Sequence, residues 1–173
     1  MLEFYMVKMK YIRNLMNIDH KNIMSVSSQY KKNKRIFVGV IVMVNNYKYC
    51  IPLSTVEGKS KYRGMSNNIT FRKITNEAGE VIGALNINNM IPVREEHLIP
   101  FDMKIYLSDN EKQRNYKMHC IEELKWCREH EGEIIMLAKE LHRMVCSGVP
   151  FKKQKICPDY RRLEQECDKA KQV

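Results

Sequence analysis

The most regular hydrophobic pattern in the chain is an unbroken apolar run at residues 36–44, followed after two asparagines by a shorter run at residues 47–51. β-Branched residues dominate the first run, which is typical of a strand buried on both faces. Asn45 and Asn46 separate the runs, and asparagine tolerates a positive φ better than other non-glycine residues do. The pattern therefore predicts a hairpin with a two-residue turn, whose second strand ends at Pro52.

Shorter patterns predict further strands on both sides of this hairpin. The expected strands are residues 4–7, 69–74, 81–87 and 90–93, with a helical turn at residues 11–18 and a tight turn at residues 76–79. Five or six short strands joined by tight turns indicate a small, twisted antiparallel β-barrel or half-barrel.

From residue 108 onward the period changes from that of strands to that of helices. Ser108 and Glu111 have the spacing of a capping box, in which each side chain bonds the backbone N–H of the other residue. Gly132 is expected to break this helix, a second helix should end at Gly148, and a third should follow Pro158. The apolar stripe of the first helix consists of Tyr116, Cys120, Leu124 and Cys127, and that of the second of Ile134, Ala138, Leu141 and Val145.

Length and composition indicate one domain. The 173 residues can form one sizeable core and no Gly/Ser/Pro-rich linker divides them, so we expect a single α+β domain over residues 1–173, with helices mostly in the C-terminal half. No apolar run approaches the roughly 18 residues of a membrane span, and the first residues lack the pattern of a signal peptide. We therefore expect a cytoplasmic protein without a membrane partner.

The six cysteines show no framework spacing, which favours reduced thiols over disulfides. Cys120, Cys127 and His130 could share a helix face and hold a metal ion. No second Cys-x-x-Cys or His-x-x-x-His element completes a tetrahedral site, however, so we expect neither a metal nor a cofactor.

The net charge of +10 is distributed unevenly. The first 75 residues contain 14 lysines and arginines against 3 aspartates and glutamates, a net charge of +11, whereas the rest of the chain contains 16 against 17. Such asymmetry is typical of a protein with a polyanionic partner, although it could also serve solubility alone. Because the hairpin is antiparallel, its flanks at residues 30–35 and 54–63 should converge at one end of the sheet with their hydroxyls and cations.

RNA brings its own nucleophile, the 2′-OH, so a ribonuclease needs only cations around the phosphate, a proton acceptor and a proton donor. Lysine, arginine, tyrosine, serine and threonine can supply these groups. The chain has no histidine between His20 and His97, no paired carboxylates in the basic half and no glycine-rich phosphate loop. These absences argue against a two-metal nuclease and against an NTPase.

Several short segments together carry a family resemblance. They are residues 4–5, 10–19, 37–40, 48–55, 59–65 and 83–93, of which Pro-Leu-Ser-Thr and Leu-Asn-Ile-x-x-Met-Ile-Pro are the most specific. In order and spacing they resemble the ToxN/AbiQ family, which are endoribonuclease toxins of type III toxin–antitoxin systems. The resemblance implies a barrel like that of MazF and Kid, and metal-independent cleavage of single-stranded mRNA leaving a 2′,3′-cyclic phosphate. It also implies growth arrest, abortive infection of phage, and inhibition by a small antitoxin RNA of repeated pseudoknots in a closed ring of three proteins and three RNAs.

Carried over position by position, the resemblance also implies the active-site residues. The family hydroxyls fall on Ser54 and Thr55, and the loop tyrosine falls on Tyr30. The cation before the central strand is either Lys34 or Arg35, depending on the length of the loop. The family lysine two places after the hydroxyls meets Glu57 here, so either Lys59 or Lys61 is expected to replace it.

Other cations and aromatic residues are candidate RNA contacts, since bases of single-stranded RNA stack on aromatic rings among basic residues. These candidates are Tyr11, Lys31, Lys32, Tyr62, Arg63, Lys152, Lys153, Lys155, Arg161 and Arg162. For the last five, a solvated surface without a ligand is an equally good interpretation.

Three functions compete at this point. The first is the endoribonuclease toxin, the second is a non-catalytic RNA-binding barrel with the same basic surface, and the third is a protein-interaction domain whose charge serves solubility.

Overall fold

The computed structural model describes residues 2–23, 38–56 and 60–169. In these residues there are seven strands: β1 (Phe4–Val7), β2 (Val38–Val44), β3 (Tyr47–Thr55), β4 (Arg72–Thr75), β5 (Val81–Leu85), β6 (Ile91–Val93) and β7 (Leu98–Pro100). The four α-helices are α1 (Met9–Ile18), α2 (Glu111–Glu129), α3 (Glu131–Cys146) and α4 (Tyr160–Lys169). Short 3₁₀ turns lie at Lys61–Gly64, Ile87–Asn89, Glu95–His97 and Gln154–Ile156. The α+β class and the C-terminal position of most helices are therefore confirmed.

The hairpin of β2 and β3 is the centre of the sheet. Val44 pairs with Tyr47, and Asn45 takes a φ of 54°, which is the left-handed conformation that a two-residue hairpin turn requires. The predicted turn is therefore confirmed.

The expected end of the hairpin at Pro52 is wrong, because β3 continues through this proline to Thr55. On one edge β3 pairs with β6 over residues 48–50 and then with β5 over residues 53–55. Pro52 lies where the neighbouring strand changes, so its missing N–H interrupts neither ladder. This extension carries the strand out to the two hydroxyl residues of the candidate site.

All seven strands pair in an antiparallel manner, in the order β4-β5-β3-β2-β1-β7 with β6 on β3. Among the described strands β4 and β7 are the two ends of an open sheet, and a closed barrel is not observed. Helix α3 packs on β2, α4 on β6, and α2 on β4 and β5, so one main core lies between the sheet and the helices.

Two helix boundaries differ from the predicted ones. Asn110, and not Ser108, caps α2: its side chain accepts from Gln113 N, and Gln113 Oε1 accepts from Asn110 N, both at 2.9 Å. The break between α2 and α3 falls at His130, two residues before Gly132. The capping box at the start of α2 is therefore formed by Asn110 and Gln113, two residues after the predicted pair of Ser108 and Glu111.

All six cysteines carry free thiols, and five of them are buried. No helix in the described part of the chain combines the length and the apolarity that crossing a membrane requires.

Candidate functional site

Ser54 and Thr55 are the last two residues of β3, and both are half-buried. Ser54 pairs with Ala84 and Thr55 pairs with Gly83 on β5. Adjacent residues of a strand point to opposite faces, and directly paired residues share a face. The two hydroxyls that the sequence placed together therefore lie on different faces of the sheet.

The Ser54 face carries a small second apolar cluster formed by Val56, Phe71 and Ala84. Tyr62 packs on this cluster and stacks on Phe71, with ring centroids 5.6 Å apart and an interplanar angle of 17°. The packing brings the 3₁₀ turn Lys61–Gly64 to the same face as Ser54.

Within this turn Ser60 Oγ accepts from Tyr62 N at 3.3 Å, which fixes the start of the turn. Lys61 Nζ lies 5.3 Å from the centroid of the Tyr62 ring, in the range of a cation–π contact. One face of the Tyr62 ring is occupied by Phe71. Arg63 is exposed in the same turn.

Asn86 is a residue of the site to which the sequence gave no role. Its side-chain Nδ2 donates to Ser54 Oγ at 3.0 Å, and its backbone N donates to Pro52 O at 3.0 Å. The side chain is 7% exposed. Two features of the sequence could have pointed to Asn86. It is a polar residue inside the apolar run of residues 81–87, and it lies in the Leu-Asn-Ile-x-x-Met-Ile-Pro segment that carries the family resemblance.

The Thr55 face is backed by α2. A Cβ at Gly83 would collide with the carboxylate of Glu123, which is fully buried. His119 Nε2 lies 2.8 Å from Ile82 O and 3.3 Å from Glu123 Oε1, and its hydrogen is directed at the carbonyl. Neither oxygen of Glu123 has a hydrogen-bond partner in the described part of the chain.

These surroundings shift both titrating groups in the same direction. Burial raises the pKa of the Glu123 carboxyl above its ordinary 4.5, and His119 offsets part of this increase. The contact with Glu123 raises the pKa of His119 above its ordinary 6.5, against the opposing effect of burial. A folded-state pKa above the unfolded one means that stability is greatest at low pH and is lost as the pH rises through the folded pKa.

We therefore expect Glu123→Gln to stabilise the protein at alkaline pH, on the order of 1 kcal/mol, because it removes a buried charge without a hydrogen-bond partner. Wild-type stability should fall as the pH rises above 4.5, the ordinary pKa of a glutamate, and the variant should fall less over the same range. Urea unfolding at several pH values measures both curves. Glu122→Gln, at the exposed neighbouring position, should follow the wild type, and parallel curves for Glu123→Gln and the wild type would contradict the prediction.

The predicted C-terminal patch is mostly exposed. Lys152, Lys155, Arg161 and Arg162 are exposed, and Lys153 is half-buried. Asn88 Nδ2 donates to Ile156 O at 2.9 Å, and Tyr160 OH donates to Asn88 O at 3.0 Å. The patch is therefore anchored to the turn that directly follows Asn86.

One predicted RNA contact is corrected by the structure. Tyr11 is 6% exposed, its hydroxyl donates to Pro92 O at 2.7 Å, and its ring stacks on His97 with centroids 3.6 Å apart. Tyr11 is a core residue that joins α1 to β6, so it has no surface for RNA.

The remaining predicted site residues, Tyr30, Lys31, Lys32, Lys34, Arg35 and Lys59, lie outside the described residues. Within the described residues no group of three or more histidine, cysteine, aspartate or glutamate side chains has the arrangement of a metal site.

Comparison with known proteins places the chain among bacterial toxins. The sequence profile of the family described as Toxin ToxN, type III toxin–antitoxin system, matches residues 3–168. Because this match spans nearly the whole sequence, the chain belongs to the ToxN toxin family.

Relatives and solved structures agree with this assignment. Endoribonuclease ToxN of Bacillus thuringiensis subsp. kurstaki is 24% identical over 98% of this chain and 84% of its own length. Endoribonuclease AbiQ of Lactococcus lactis subsp. lactis is 31% identical over 60% of this chain and 57% of its own length. The structure of AbiQ, a lactococcal anti-phage endoribonuclease of a type III system, superposes with a TM-score of 0.80 at 19% identity, covering 99% of both chains.

A further solved structure comes from work on selective toxin inhibition by a non-coding RNA pseudoknot in type III systems. It superposes with a TM-score of 0.77 at 23% identity and covers 99% of both chains. At these identities the two structures establish the shared fold.

Proposed function

We propose that this protein is an endoribonuclease toxin that cleaves single-stranded mRNA without a metal ion. In the reaction the 2′-oxygen attacks the adjacent phosphorus, the bond to the 5′-oxygen breaks, and the products end in a 2′,3′-cyclic phosphate and a 5′-hydroxyl. The 2′ proton passes to a base and another proton is delivered to the departing 5′-oxygen. Such cleavage of cellular and phage mRNA in the cytoplasm accounts for growth arrest and abortive infection.

The observation that carries this proposal is the common face of Ser54 and the Lys61–Gly64 turn, in the half of the chain with a net charge of +11. A hydroxyl donor and an ammonium group on the same face can stabilise negative charge on the non-bridging phosphate oxygens as it develops. Tyr62, half-buried beside these cations, is a candidate for stacking with a neighbouring base.

The other catalytic groups are proposed from the family resemblance. By that resemblance Thr55 is also a catalytic residue, although its side chain lies on the opposite face of the sheet from Ser54. Tyr30 is a candidate for proton transfer, and either Lys34 or Arg35 contacts the phosphate. Lys61, within the described turn, and Lys59 are the two candidates for the second cation.

Cleavage is expected to persist in excess EDTA, since the site consists of hydroxyl, ammonium and amide groups that need no metal. The measurement is product analysis by gel and mass spectrometry, with the cyclic phosphate as the expected end group. Activity that is lost in EDTA and restored by magnesium would show that the proposed mechanism is wrong.

Two controls sharpen this experiment. A substrate with a 2′-deoxy sugar at the cleaved position should remain intact, because it lacks the attacking hydroxyl. Ser54→Ala protein purified in parallel shows how much cleavage comes from a contaminating nuclease. If RNA is bound in a salt-dependent way but never cut, the protein is a non-catalytic RNA-binding protein.

We propose that the inhibitor is a small RNA of repeated pseudoknots that covers the same cluster. Each RNA would bridge two protein copies, one through the surface around Ser54 and the Lys61–Gly64 turn, and the other through the patch of Lys152, Lys153, Lys155, Arg161 and Arg162. A closed ring of three proteins and three RNAs satisfies both contacts in every copy. Hydrogen bonds of Asn88 hold the patch next to the turn that follows Asn86, which supports a short distance between the two proposed RNA surfaces of one protein.

The affinity for this RNA should fall steeply with salt, with a log–log slope of about −0.7 to −0.9 per neutralised phosphate, because each contact releases counterions. Light scattering with and without the RNA measures the stoichiometry, and titrations at several salt concentrations measure the slope. A complex of one protein with one RNA at all concentrations would contradict the ring, and a flat salt dependence would contradict the shared phosphate surface.

A further inference from the structure

The feature from which we start is the hydrogen bond between Asn86 and Ser54. Asn86 Nδ2 lies 3.0 Å from Ser54 Oγ, and the residues are 32 positions apart in the sequence. The backbone of Asn86 continues the ladder between β3 and β5, since its N–H donates to Pro52 O at 3.0 Å. With its side chain 7% exposed, the amide has little freedom to turn away from the hydroxyl.

We propose that Asn86 is a positioning residue that aims the Ser54 hydroxyl at the scissile phosphate. This inference rests on the proposed function. A serine hydroxyl has one hydrogen and two lone pairs, and the amide N–H of Asn86 occupies one lone pair. The hydrogen of Ser54 is thereby directed away from Asn86 and remains free to be donated to a phosphate oxygen.

This arrangement has a catalytic consequence. A donor whose direction is fixed before the substrate binds needs no reorganisation as charge develops in the transition state. Without Asn86, Ser54 can rotate about Cα–Cβ and about its C–O bond, so only a fraction of the molecules present the hydrogen correctly. The loss should therefore appear in the rate of the chemical step and leave the binding of uncleaved RNA largely unchanged.

The absence of charge on the Asn86 side chain also matters for the direction of the Ser54 hydrogen. An aspartate at position 86 has nearly the same shape, but its carboxylate accepts hydrogen bonds and would draw the Ser54 hydrogen towards itself. It would also place a negative charge beside the bound phosphate. When that aspartate is protonated, it can again donate a hydrogen bond to Ser54 Oγ.

The test is a double-mutant cycle measured by single-turnover cleavage of a saturating RNA. Ser54→Ala should slow the chemical step about 10²–10³-fold. Asn86→Ala should slow it roughly tenfold, the usual effect of losing one hydrogen bond, with an unchanged Kd for uncleaved RNA. Adding Asn86→Ala to Ser54→Ala should cause no further loss, because the amide acts only through the hydroxyl.

A control variant separates positioning from a general loss of stability. The Asn76 side chain accepts from Ala78 N at 3.0 Å and from Glu80 N at 2.9 Å, in the turn between β4 and β5. Asn76→Ala should lower stability without changing the single-turnover rate.

Asn86→Asp supplies a pH profile: its cleavage rate relative to the wild type should rise as the pH falls towards the range where the aspartate is protonated.

The outcomes separate the two proposals. If Ser54→Ala cleaves normally, the active site proposed above is wrong. If Ser54→Ala is slow but Asn86→Ala is not, or if the two losses multiply in the double variant, Asn86 does not position Ser54. Should Asn86→Ala fail to fold, the decision rests on Asn86→Asp, whose pH profile would overturn the inference if it paralleled that of the wild type.

Discussion

Ser54→Ala is expected to slow RNA cleavage about 10²–10³-fold while the protein still binds RNA and folds normally. The hydroxyl is half-buried at the end of β3, so its removal leaves only a small space at the edge of the core. What is lost is a donor fixed by Asn86 on the face that also carries Lys61. Single-turnover rates, RNA affinity and urea unfolding measure the three quantities separately.

Two further variants test whether the loss of cleavage is specific to the Ser54 hydroxyl. Ser108→Ala removes the same hydroxyl from an exposed loop position and should change neither rate nor stability. Thr55→Ala must be tested by itself, because Thr55 lies on the opposite face of the sheet and its effect need not follow that of Ser54. A Ser54→Ala protein that still arrests growth and cleaves RNA at the wild-type rate would place the active site elsewhere.

Local patterns were sufficient to predict the central hairpin and the helices. The apolar run of β2, the left-handed Asn45 and the stripe of α3 all follow from interactions between residues close in sequence. The helix cap was misplaced because three polar residues precede Glu111 and the backbone can use any of them. Asn110 is the cap because Gln113 returns its hydrogen bond, whereas the carboxylate of Asp109 accepts from Tyr106 N and Lys117 Nζ.

The predictions that were wrong concern contacts between segments far apart in the sequence. Pro52 normally ends a strand, and whether it does so here depends on β5 and β6 sharing one edge of β3, which no local pattern encodes. Likewise, Tyr11 beside Lys10 has the composition of an RNA contact, but the depth of its burial depends on β6 and His97. Sheet closure is also a long-range property, and the described strands leave the sheet open.

In the candidate site, too, some features follow from the sequence and others depend on how distant strands pair. Its hydroxyls and its charge asymmetry could be predicted from the sequence, whereas the pairing of β3 with β5 could not. That pairing puts Ser54 beside Asn86 and sends Thr55 to the face of α2. The sequence thus indicated candidate residue types, and the strand register determined how Ser54 and Thr55 divide between the two faces of the sheet.

Gly39→Ala is expected to have the largest effect on stability. Gly39 is in β2, between Tyr5 of β1 and Pro52 of β3. A Cβ there would collide with the backbone carbonyl of Ile51 and would lie 2.7 Å from Cys50 Sγ. Backbone in the middle of a ladder cannot move aside without breaking the hydrogen bonds of the hairpin, so the cost should reach roughly 3 kcal/mol, the upper part of the range for overpacked cores.

A loss of that size is a large share of the 5–15 kcal/mol that typically stabilises a domain, so the midpoint of urea unfolding should fall clearly or the protein should not accumulate. The matched control is Gly132→Ala in the first turn of α3, where a Cβ meets nothing within 4 Å. There alanine favours the helix, and stability should stay the same or rise by up to about 1 kcal/mol. Activity of Gly39→Ala should fall only in proportion to the folded fraction, unlike that of Ser54→Ala. Equal midpoints for Gly39→Ala and the wild type would mean that β2 and β3 can separate at Gly39 without cost, which contradicts the packing described here.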